Sequence, residues 1–223
     1  MDFETWNPYY RKICSDLEIK PETDYESSIL LNDILQKRNH AAVQKEITEP
    51  VWIVGNGPGL EDILRDLSLN GIVFVADSAI GKYMKVKGYP DYVFTDLDGP
   101  IKLIRECSEN SVSLVVHAHG DNKEMIERHV PLLNVHTGTT QNRPVGVLRN
   151  FGGFTDGDRA AFFADFFNAP EIILVGFDFS APSIKEGSDY HRKMKKLRWA
   201  ESLLSVLAQK RGSQFRSGQI IRI

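Results

Sequence analysis

The stretch Val93-Phe-Thr-Asp-Leu-Asp-Gly99 decides how this sequence is interpreted. Its first residues are typical of a short buried strand, and two carboxylates, Asp96 and Asp98, follow directly. Within an extended strand these side chains would share one face, and where the strand turns into a loop both can converge on one cation. Neighbouring carboxylates repel each other unless positive charge lies between them, and Mg²⁺ with phosphate oxygens commonly supplies it. We therefore predict a metal role for this pair; a simple turn at Gly99 is the alternative.

Two later segments have the same character, namely His117-Ala-His-Gly-Asp-Asn122 and Thr155-Asp-Gly-Asp-Arg159. Each combines carboxylates with a glycine that allows a tight turn. Three such acidic turns in one small protein indicate a divalent-metal site that handles phosphate.

From residue 50 onwards, apolar runs of four or five residues alternate with helical stretches, as at Val51–Val54, Ile72–Ala76 and Ile172–Val175. This alternation predicts an α/β fold, a Rossmann-like three-layer αβα domain with a mainly parallel sheet. Residues 219–223 are predicted to form a short edge strand. The polar turns follow the carboxyl ends of the predicted strands, so we expect them to meet in one crevice.

The turn Gly55-Asn-Gly-Pro-Gly59 follows the first of these strands. Glycines let backbone N–H groups approach a phosphate, whose charge a following helix N-terminus favours. Gly55, Asn56, Gly57 and Gly59 are therefore candidate nucleotide-binding residues. The spacing matches neither the dinucleotide fingerprint nor a P-loop, so a tight turn without a ligand is the alternative.

Asp77 and Ser78 end the second predicted strand. Either residue would serve well as a helix N-cap. Their position at the strand end also favours a ligand-binding role, and one side chain can serve both purposes.

His117, His119 and Asp121 occupy alternate positions, which is compatible with zinc. The other donors of the predicted crevice are oxygen atoms, which suit Mg²⁺ better. We predict that Asp121 binds the metal or lies beside it, and that His119 contacts phosphate or substrate. His117 is then a hydrogen-bonded strand residue.

The segment from Thr155 to Arg159 is predicted to begin a helix. Thr155 or Asp156 would be its N-cap, and Asp158 in the first turn would complement the helix dipole. Capping does not explain Arg159 or the Gly152-Gly153 pair that precedes the segment. We therefore also predict that this turn faces the nucleotide or the second substrate.

Residues 1–48 differ in pattern and are predicted to form a small helical N-terminal region beside a catalytic domain of residues 49–223. Its first helix is expected to start at Pro8, because proline is tolerated only in a first turn. A second helix is expected after Pro21, with an apolar face formed by Ile29, Leu30, Ile34 and Leu35. The aromatic side chains of the first helix offer a surface for a homodimer: Phe3, Trp6, Tyr9 and Tyr10.

The chain of 223 residues is 42% apolar and 26% charged, which fits one large globular domain with an appendage. A net charge of -3 gives no basic field for nucleic acid. The sequence has neither an apolar signal core nor a run of about 20 apolar residues that could span a bilayer. Cys14 and Cys107 lack metal-ligand spacing, so we expect a cytoplasmic protein with structural thiols and no membrane partner.

A basic stretch runs from Lys185 to Arg198. A solvated helix face is the simplest interpretation. Sites that transfer phosphate also need cations for the phosphate chain. One or two of four side chains could therefore fold over the crevice: Lys193, Lys195, Lys196 and Arg198.

Taken in order, the motifs G-x-G-P-G, A-D-S, T-D-L-D-G, H-A-H-G-D-N and G-F-T-D-G-D-R-A resemble the archaeal 6-hydroxymethyl-7,8-dihydropterin pyrophosphokinase family. That family is similar in core fold to thiamin pyrophosphokinase catalytic domains. The resemblance spans residues 50–200. It implies Mg²⁺-dependent transfer of diphosphate from ATP to a reduced pterin, with release of AMP, in the synthesis of methanopterin- or folate-type cofactors.

The resemblance also implies roles for individual residues. By similarity to the thiamin enzymes, the Mg²⁺ cluster would consist of Asp77, Asp96, Asp98 and Asp121. Asp98 or Asp121 could accept the proton of the attacking hydroxyl. Candidates to hold the pterin are Asn122, Thr155 and Asp156.

Three other functions are compatible with the same motifs. A haloacid-dehalogenase-like phosphatase would use Asp96 as its nucleophile, although Pro100 stands where that motif has threonine. A nucleotide-sugar transferase would hold its donor through a metal at Asp-x-Asp. A nucleotide- or metal-sensing domain would show no turnover. Release of AMP from ATP separates the pyrophosphokinase from all three.

Overall fold

The structure, a computed structural model, describes residues 1–38, 46–181 and 189–223. Lys185 of the predicted basic stretch lies outside these residues, as does the segment 39–45 that precedes the predicted domain boundary. Within the described residues the centre is a seven-stranded sheet in the order β5-β4-β3-β2-β1-β6-β7. Its strands are β1 (Val51–Val54), β2 (Ile72–Ala76), β3 (Tyr92–Thr95), β4 (Ser113–Ala118), β5 (Val135–Thr140), β6 (Ile172–Val175) and β7 (Ile220–Arg222).

Eight α-helices cover this sheet in the described part of the chain. They are α1 (Phe3–Leu17), α2 (Pro21–Gln36), α3 (Leu60–Asp66), α4 (Ile80–Lys87), α5 (Ile101–Glu109), α6 (Lys123–His129), α7 (Asp156–Phe166) and α8 (Tyr190–Lys210). None of them combines the length and apolar character that a membrane crossing requires.

Both faces of the sheet are buried, which explains why its strands are apolar runs rather than alternating ones. In β1, Val51 and Ile53 join a core with α1, α7 and α8, whereas Trp52 and Val54 join a second core with α2 to α6. The fold is therefore the predicted three-layer αβα arrangement, and the N-terminal helices pack on opposite faces of the same sheet.

The direction of winding reverses at β1. This strand pairs in parallel with both β2 and β6, so the chain builds the sheet outward on one side before it returns to the other. A reversal of this kind opens a crevice at the carboxyl ends of the central strands. The predicted edge strand is β7, which is antiparallel to β6.

The apolar pattern does not predict β5, whose residues are mostly polar. Its threonine side chains find partners inside the protein: Thr139 Oγ1 lies 3.0 Å from His117 Nδ1 on the neighbouring strand. The strand β5 is therefore stabilised by its pairing with β4 and not by a local apolar pattern.

The expected start of the first helix at Pro8 is wrong. The helix begins at Phe3, and the Asp2 carboxylate caps it by accepting a 2.8 Å hydrogen bond from Thr5 N. Pro8 lies inside the helix. Burial of Trp6 and Tyr10 on this helix favours the longer form and offsets the cost of an internal proline.

The aromatic residues considered for a dimer surface belong largely to the protein's own core. Trp6 and Tyr10 are buried, and Phe3 and Tyr9 pack against the same cluster. This face of α1 is therefore used within the chain.

The predicted apolar face of α2 is correct only in part. Leu35 is buried, and Leu30 and Ile34 pack partly buried against the same core, but Ile29 is exposed. The helix buries a mixed face instead, made of Asp24, Ser27, Ser28, Leu31, Asn32 and Leu35. Polar partners explain the difference, since the Ser28 and Thr140 hydroxyls lie 2.6 Å apart.

Candidate active site

A cavity of about 720 Å³ lies at the carboxyl edge of the sheet. Its size is typical of a small-molecule site. The loops after β1, β2, β3, β4 and β6 line it, together with the first turns of α7 and α8. Twelve of the predicted site residues meet there: Gly55, Asn56, Gly57, Asp77, Ser78, Asp96, Asp98, His119, Asp121, Thr155, Asp156 and Arg159.

Three carboxylates form the acidic centre of this cavity. Asp77 after β2, Asp96 after β3 and Asp156 in the first turn of α7 each offer an oxygen, and these oxygens lie within 4.8 Å of one another. We call these residues the carboxylate triad. Such an all-oxygen donor set fits Mg²⁺. Asp98 and Asp121, which were also predicted as ligands, lie outside the triad on exposed loop positions.

Asp77 is almost completely buried, with 1% of its surface exposed. Its Oδ2 atom accepts a 2.8 Å hydrogen bond from the Thr95 hydroxyl. Burial raises the pKa of Asp77 to about 7, and the negative charges of Asp96 and Asp98 act in the same direction. A bound cation would remove this penalty.

Burial and neighbouring carboxylates also raise the pKa of Asp156. Burial raises its pKa well above the usual range, and the charges of Asp77 and Asp96 add to the effect. Arg159 partly compensates, because its Nη1 atom lies 3.3 Å from Asp156 Oδ1. The triad therefore concentrates more negative charge than the neighbouring arginine neutralises.

Asp96 differs from its two neighbours. Burial alone would raise its pKa, but the hydrogen bond from His119 and the charge of Arg159 hold that pKa well below the usual range. His119 Nε2 lies 3.2 Å from Asp96 Oδ2. His119 Nδ1 accepts a hydrogen bond from Asp121 N at 3.3 Å, so Nε2 carries the ring proton towards Asp96.

The turn between Asp96 and Asp98 is built on Leu97. This residue is fully buried although its φ is +69°, in the left-handed region. Its N–H donates to Thr95 Oγ1 at 2.8 Å, and Asp98 N donates to Asp96 Oδ1 at 3.2 Å. The buried Leu97 thus directs Asp96 towards the triad and leaves Asp98 at the rim.

The glycine turn after β1 packs closely against β6. Gly55 N donates to Val175 O at 2.9 Å and Gly57 N to Gly176 O at 2.6 Å, so neither N–H points at a ligand. A Cβ atom on Gly57 would lie 2.6 Å from Gly176 O. Gly59 is the N-cap of α3 and does not line the cavity. The turn contributes shape to the cavity through its lack of side chains.

Two predicted site residues support the site from outside the cavity. Asn122 is buried and donates to Asp96 O at 2.8 Å and to His117 O at 2.7 Å, which joins two loops. Asp158 accepts hydrogen bonds from Phe154 N at 2.6 Å and Thr155 N at 2.8 Å, and so completes the capping of α7. Both hold the loops that carry Asp96 and Asp156.

The basic first turns of α8 form one wall of the cavity. Arg192, Lys193 and Lys196 line it, and Lys196 Nζ lies 6.0 Å from the centre of the Phe154 ring. Lys195 instead pairs with Asp16 at 3.0 Å, outside the cavity. Arg198 is not among the lining residues.

Two polar lining residues, Asp24 and Gln141, were not among the predicted site residues. Asp24 comes from α2 and Gln141 follows β5, and both reach the cavity from segments whose polar character the apolar pattern does not explain. Phe154 and Phe177 add flat apolar surface. Burial is what marks Asp24 as unusual, and the sequence alone does not reveal that burial.

Fold and site together define a Rossmann-like α/β protein in which a triad of carboxylates faces a basic helix. Comparison with known proteins is consistent with this class. A family model described as 6-hydroxymethylpterin diphosphokinase MptE-like matches residues 28–183. The chain belongs to this family and is an enzyme of the diphosphokinase class.

Three similar proteins bear the name 6-hydroxymethyl-7,8-dihydropterin pyrophosphokinase. The protein of Pyrococcus furiosus is 39% identical over 220 residues, covering 93% of this chain and 94% of the relative. That of Methanocaldococcus jannaschii is 38% identical over 236 residues, covering 94% and 97%. That of Methanothermobacter thermautotrophicus is 38% identical over 184 residues, covering 80% and 79%.

Proposed function

We propose that this protein transfers the β,γ-diphosphate of ATP to the hydroxymethyl group of 6-hydroxymethyl-7,8-dihydropterin and releases AMP, in a reaction that depends on Mg²⁺. The observation that carries the proposal is the carboxylate triad on one side of the cavity with Lys193 and Lys196 on another. The names of the relatives support the choice of acceptor.

The triad is the proposed metal site. Asp77, Asp96 and Asp156 would hold Mg²⁺ through carboxylate oxygens, and a cation there would offset the burial and repulsion that raise the pKa of Asp77 and of Asp156. Bound Mg²⁺ supplies neutralisation of the charge on the phosphate oxygens and orients them. Lys193 and Lys196 assist by binding phosphate oxygens from the α8 side.

The transfer step is a displacement at the β-phosphorus of ATP. The pterin hydroxyl oxygen forms a bond to this phosphorus, and the bond from it to the oxygen that bridges to the α-phosphorus breaks. AMP leaves with the bridging oxygen, and a carboxylate takes the hydroxyl proton. Asp98 and Asp121 are the candidates, since both line the cavity outside the triad.

The pterin ring is flat and hydrogen-bonding, and the cavity offers surfaces of both kinds. Phe154 and Phe177 provide aromatic faces. Thr155, which follows Phe154 and precedes the triad residue Asp156, provides a hydroxyl group. We assign the pterin to this side of the cavity. Asn122, a further pterin candidate, acts indirectly through the loops that it joins.

The deciding experiment identifies the leaving nucleotide. The protein is incubated with Mg²⁺, the reduced pterin and ATP labelled at the γ-phosphorus. We expect AMP in a one-to-one ratio with a labelled pterin diphosphate, and no product when the Asp96→Asn variant replaces the wild type. Formation of ADP, release of free phosphate, or absence of turnover would contradict the proposal.

A further inference from the structure

The Asp24 carboxylate on α2 accepts hydrogen bonds from three separate parts of the fold. It is buried, with 1% of its surface exposed. Its Oδ2 atom accepts from the Tyr10 hydroxyl of α1 at 2.7 Å and from Gln141 Nε2 at 2.6 Å. Its Oδ1 atom accepts from Gly120 N at 2.6 Å. Burial and the charge of Asp24 raise the pKa of Tyr10, so the hydroxyl stays protonated and donates.

One branch of this network leads to the loop after β4. Gly120 stands between His119, which is bonded to Asp96, and Asp121. A Cβ atom on Gly120 would lie 2.2 Å from Thr23 Oγ1, so the first turn of α2 is pressed against the loop backbone. Asp24 therefore fixes the segment that directs the His119 ring towards the triad.

The other branch leads to Asp156. Gln141 Oε1 accepts from Arg159 Nη2 at 3.3 Å, and Arg159 Nη1 lies 3.3 Å from Asp156 Oδ1. A carboxylate only accepts and a guanidinium only donates, so the Gln141 amide has one workable orientation between Asp24 and Arg159. The negative charge of Asp24 thereby sets the direction of every hydrogen bond in this branch.

Burial of a carboxylate carries a desolvation penalty, and apolar side chains of similar size hold helices together without that penalty. We propose that Asp24 is a positioning residue of the active site, which aligns His119 through Gly120 and Arg159 through Gln141. The kinetic part of this inference rests on the proposed function. It makes the N-terminal helices part of the catalytic apparatus rather than an appendage.

The donor and acceptor pattern provides a specific test. Asp24→Asn keeps an oxygen for Gly120 N but turns an amide NH₂ towards Gln141, so the Gln141 amide must rotate and lose its bond to Arg159. Gln141→Glu alone sets two carboxylates against each other. In the double variant the introduced amide donates to the introduced carboxylate, which can still accept from Arg159. The combined substitution restores the total charge and the hydrogen bonds that connect residue 24, residue 141 and Arg159. In Asp24→Asn and in the double variant alike, the Tyr10 hydroxyl must accept from the introduced amide instead of donating.

Steady-state kinetics with ATP and the pterin are measured for the wild type, both single variants and the double variant. Ser27→Ala is the matched control, because Ser27 is buried on the same helix and its hydroxyl has no hydrogen-bond partner among the described residues. Misalignment of catalytic groups should lower kcat about 10- to 100-fold in Asp24→Asn, with little change in KM for ATP. The double variant should recover most of this loss, and Ser27→Ala should match the wild type.

Amide hydrogen exchange of the free protein gives a readout that does not depend on turnover. Asp24→Asn should increase exchange across residues 119–122, because a neutral amide oxygen is a weaker acceptor for Gly120 N than a carboxylate. The double variant keeps that amide and should increase exchange to the same extent or less. Equal kcat values for Asp24→Asn and Ser27→Ala, or no rescue in the double variant, overturn the inference. A wild type without diphosphate transfer overturns the proposed function instead. In that case, unchanged exchange in Asp24→Asn overturns the positioning role and increased exchange supports it.

Discussion

His119 Nε2 lies 3.2 Å from Asp96 Oδ2 and joins the loop after β4 to the loop after β3. This contact distinguishes Asp96 from the other two triad carboxylates. Its pKa is lowered, whereas those of Asp77 and Asp156 are raised. Asp96 is therefore ionised without a cation, and we infer that it is the residue that first attracts one.

Replacement of His119 should make the enzyme sensitive to acid. In His119→Ala the pKa of Asp96 rises, because the hydrogen bond from Nε2 that lowers it is gone. We expect the acidic limb of the profile of kcat/KM against pH to move to higher pH. His129→Ala, at the end of α6 and outside the cavity lining, is the control. Identical acidic limbs in the two variants would refute this role.

Asp156 and Asp121 should differ in their effect on the metal. Asp156 belongs to the triad and Asp121 does not. Residues that hydrogen-bond to metal ligands cost up to about 100-fold in metal affinity when they are replaced. Because Asp156 is itself a proposed ligand, we expect Asp156→Asn to weaken Mg²⁺ binding by at least about 100-fold. Asp121→Asn should weaken it far less. Titration of Mg²⁺ in the presence of a non-hydrolysable ATP analogue measures both, and the reverse order would move the metal towards β4.

The metal-free protein should lose stability as the pH rises. Asp77 has a pKa of about 7 in the folded state, above its value of 3.8 as a free side chain. Between these values the folded state binds more protons than the unfolded state, so the free energy of unfolding decreases with increasing pH. We expect the melting temperature in EDTA to fall between pH 5 and pH 8, and to fall less in Asp77→Asn.

Addition of Mg²⁺ provides the complementary test of this electrostatic conflict. A cation that binds the ionised triad stabilises the folded state more at pH 8 than at pH 5. The buried His117, whose pKa is lowered, contributes a slope of the opposite sign, so the comparison between variants is decisive. The same dependence of the melting temperature on pH in Asp77→Asn and in the wild type would show that Asp77 does not hold a proton in the metal-free protein.

Gly57 should tolerate no side chain. In Gly57→Ala the new Cβ atom would meet Gly176 O at 2.6 Å and Gly176 C at 2.8 Å, both of them backbone atoms. We expect a loss of about 1–3 kcal/mol in the free energy of unfolding, together with a higher KM for ATP. Gly81→Ala on α4 is the matched control, since its nearest contact is a leucine methyl at 3.5 Å. Chemical denaturation should show that variant to be as stable as the wild type or more stable.

Lys196 and Lys195 are neighbours in sequence but should differ in function. Lys196 lines the cavity, whereas Lys195 pairs with Asp16. We expect Lys196→Met to raise KM for ATP roughly tenfold, which corresponds to about 1.4 kcal/mol of binding free energy. Lys195→Met should leave it unchanged. Equal values for both variants would mean that α8 contributes only a general positive potential.

The sheet was predictable because strands buried on both faces leave a strong local signal. Six of its strands stand out as short apolar runs, and the residues that follow β1 to β4 could be placed at one edge. The strand β5 and the polar residues on the buried face of α2 could not be predicted. Thr139 and Asp24 are stabilised there by distant partners, His117 and Gln141, which no local pattern reveals.

The composition of the triad illustrates the same limit. Asp96 could be predicted as a ligand from its position at the end of an apolar strand. Asp156 is predicted from the sequence to face the nucleotide or the second substrate and not the metal, because helix capping already accounts for carboxylates in a first turn. Only the packing of α7 against the sheet brings Asp156 beside Asp77 and Asp96.

Leu97 links the chemistry of this site to the interior of the protein. Its backbone conformation costs about 1–2 kcal/mol for a residue with a side chain, and contacts in the hydrophobic core must outweigh that cost. If those contacts loosen, the turn can relax and Asp96 and Asp98 move apart. We therefore expect activity to be lost on heating at a lower temperature than the one at which the sheet unfolds.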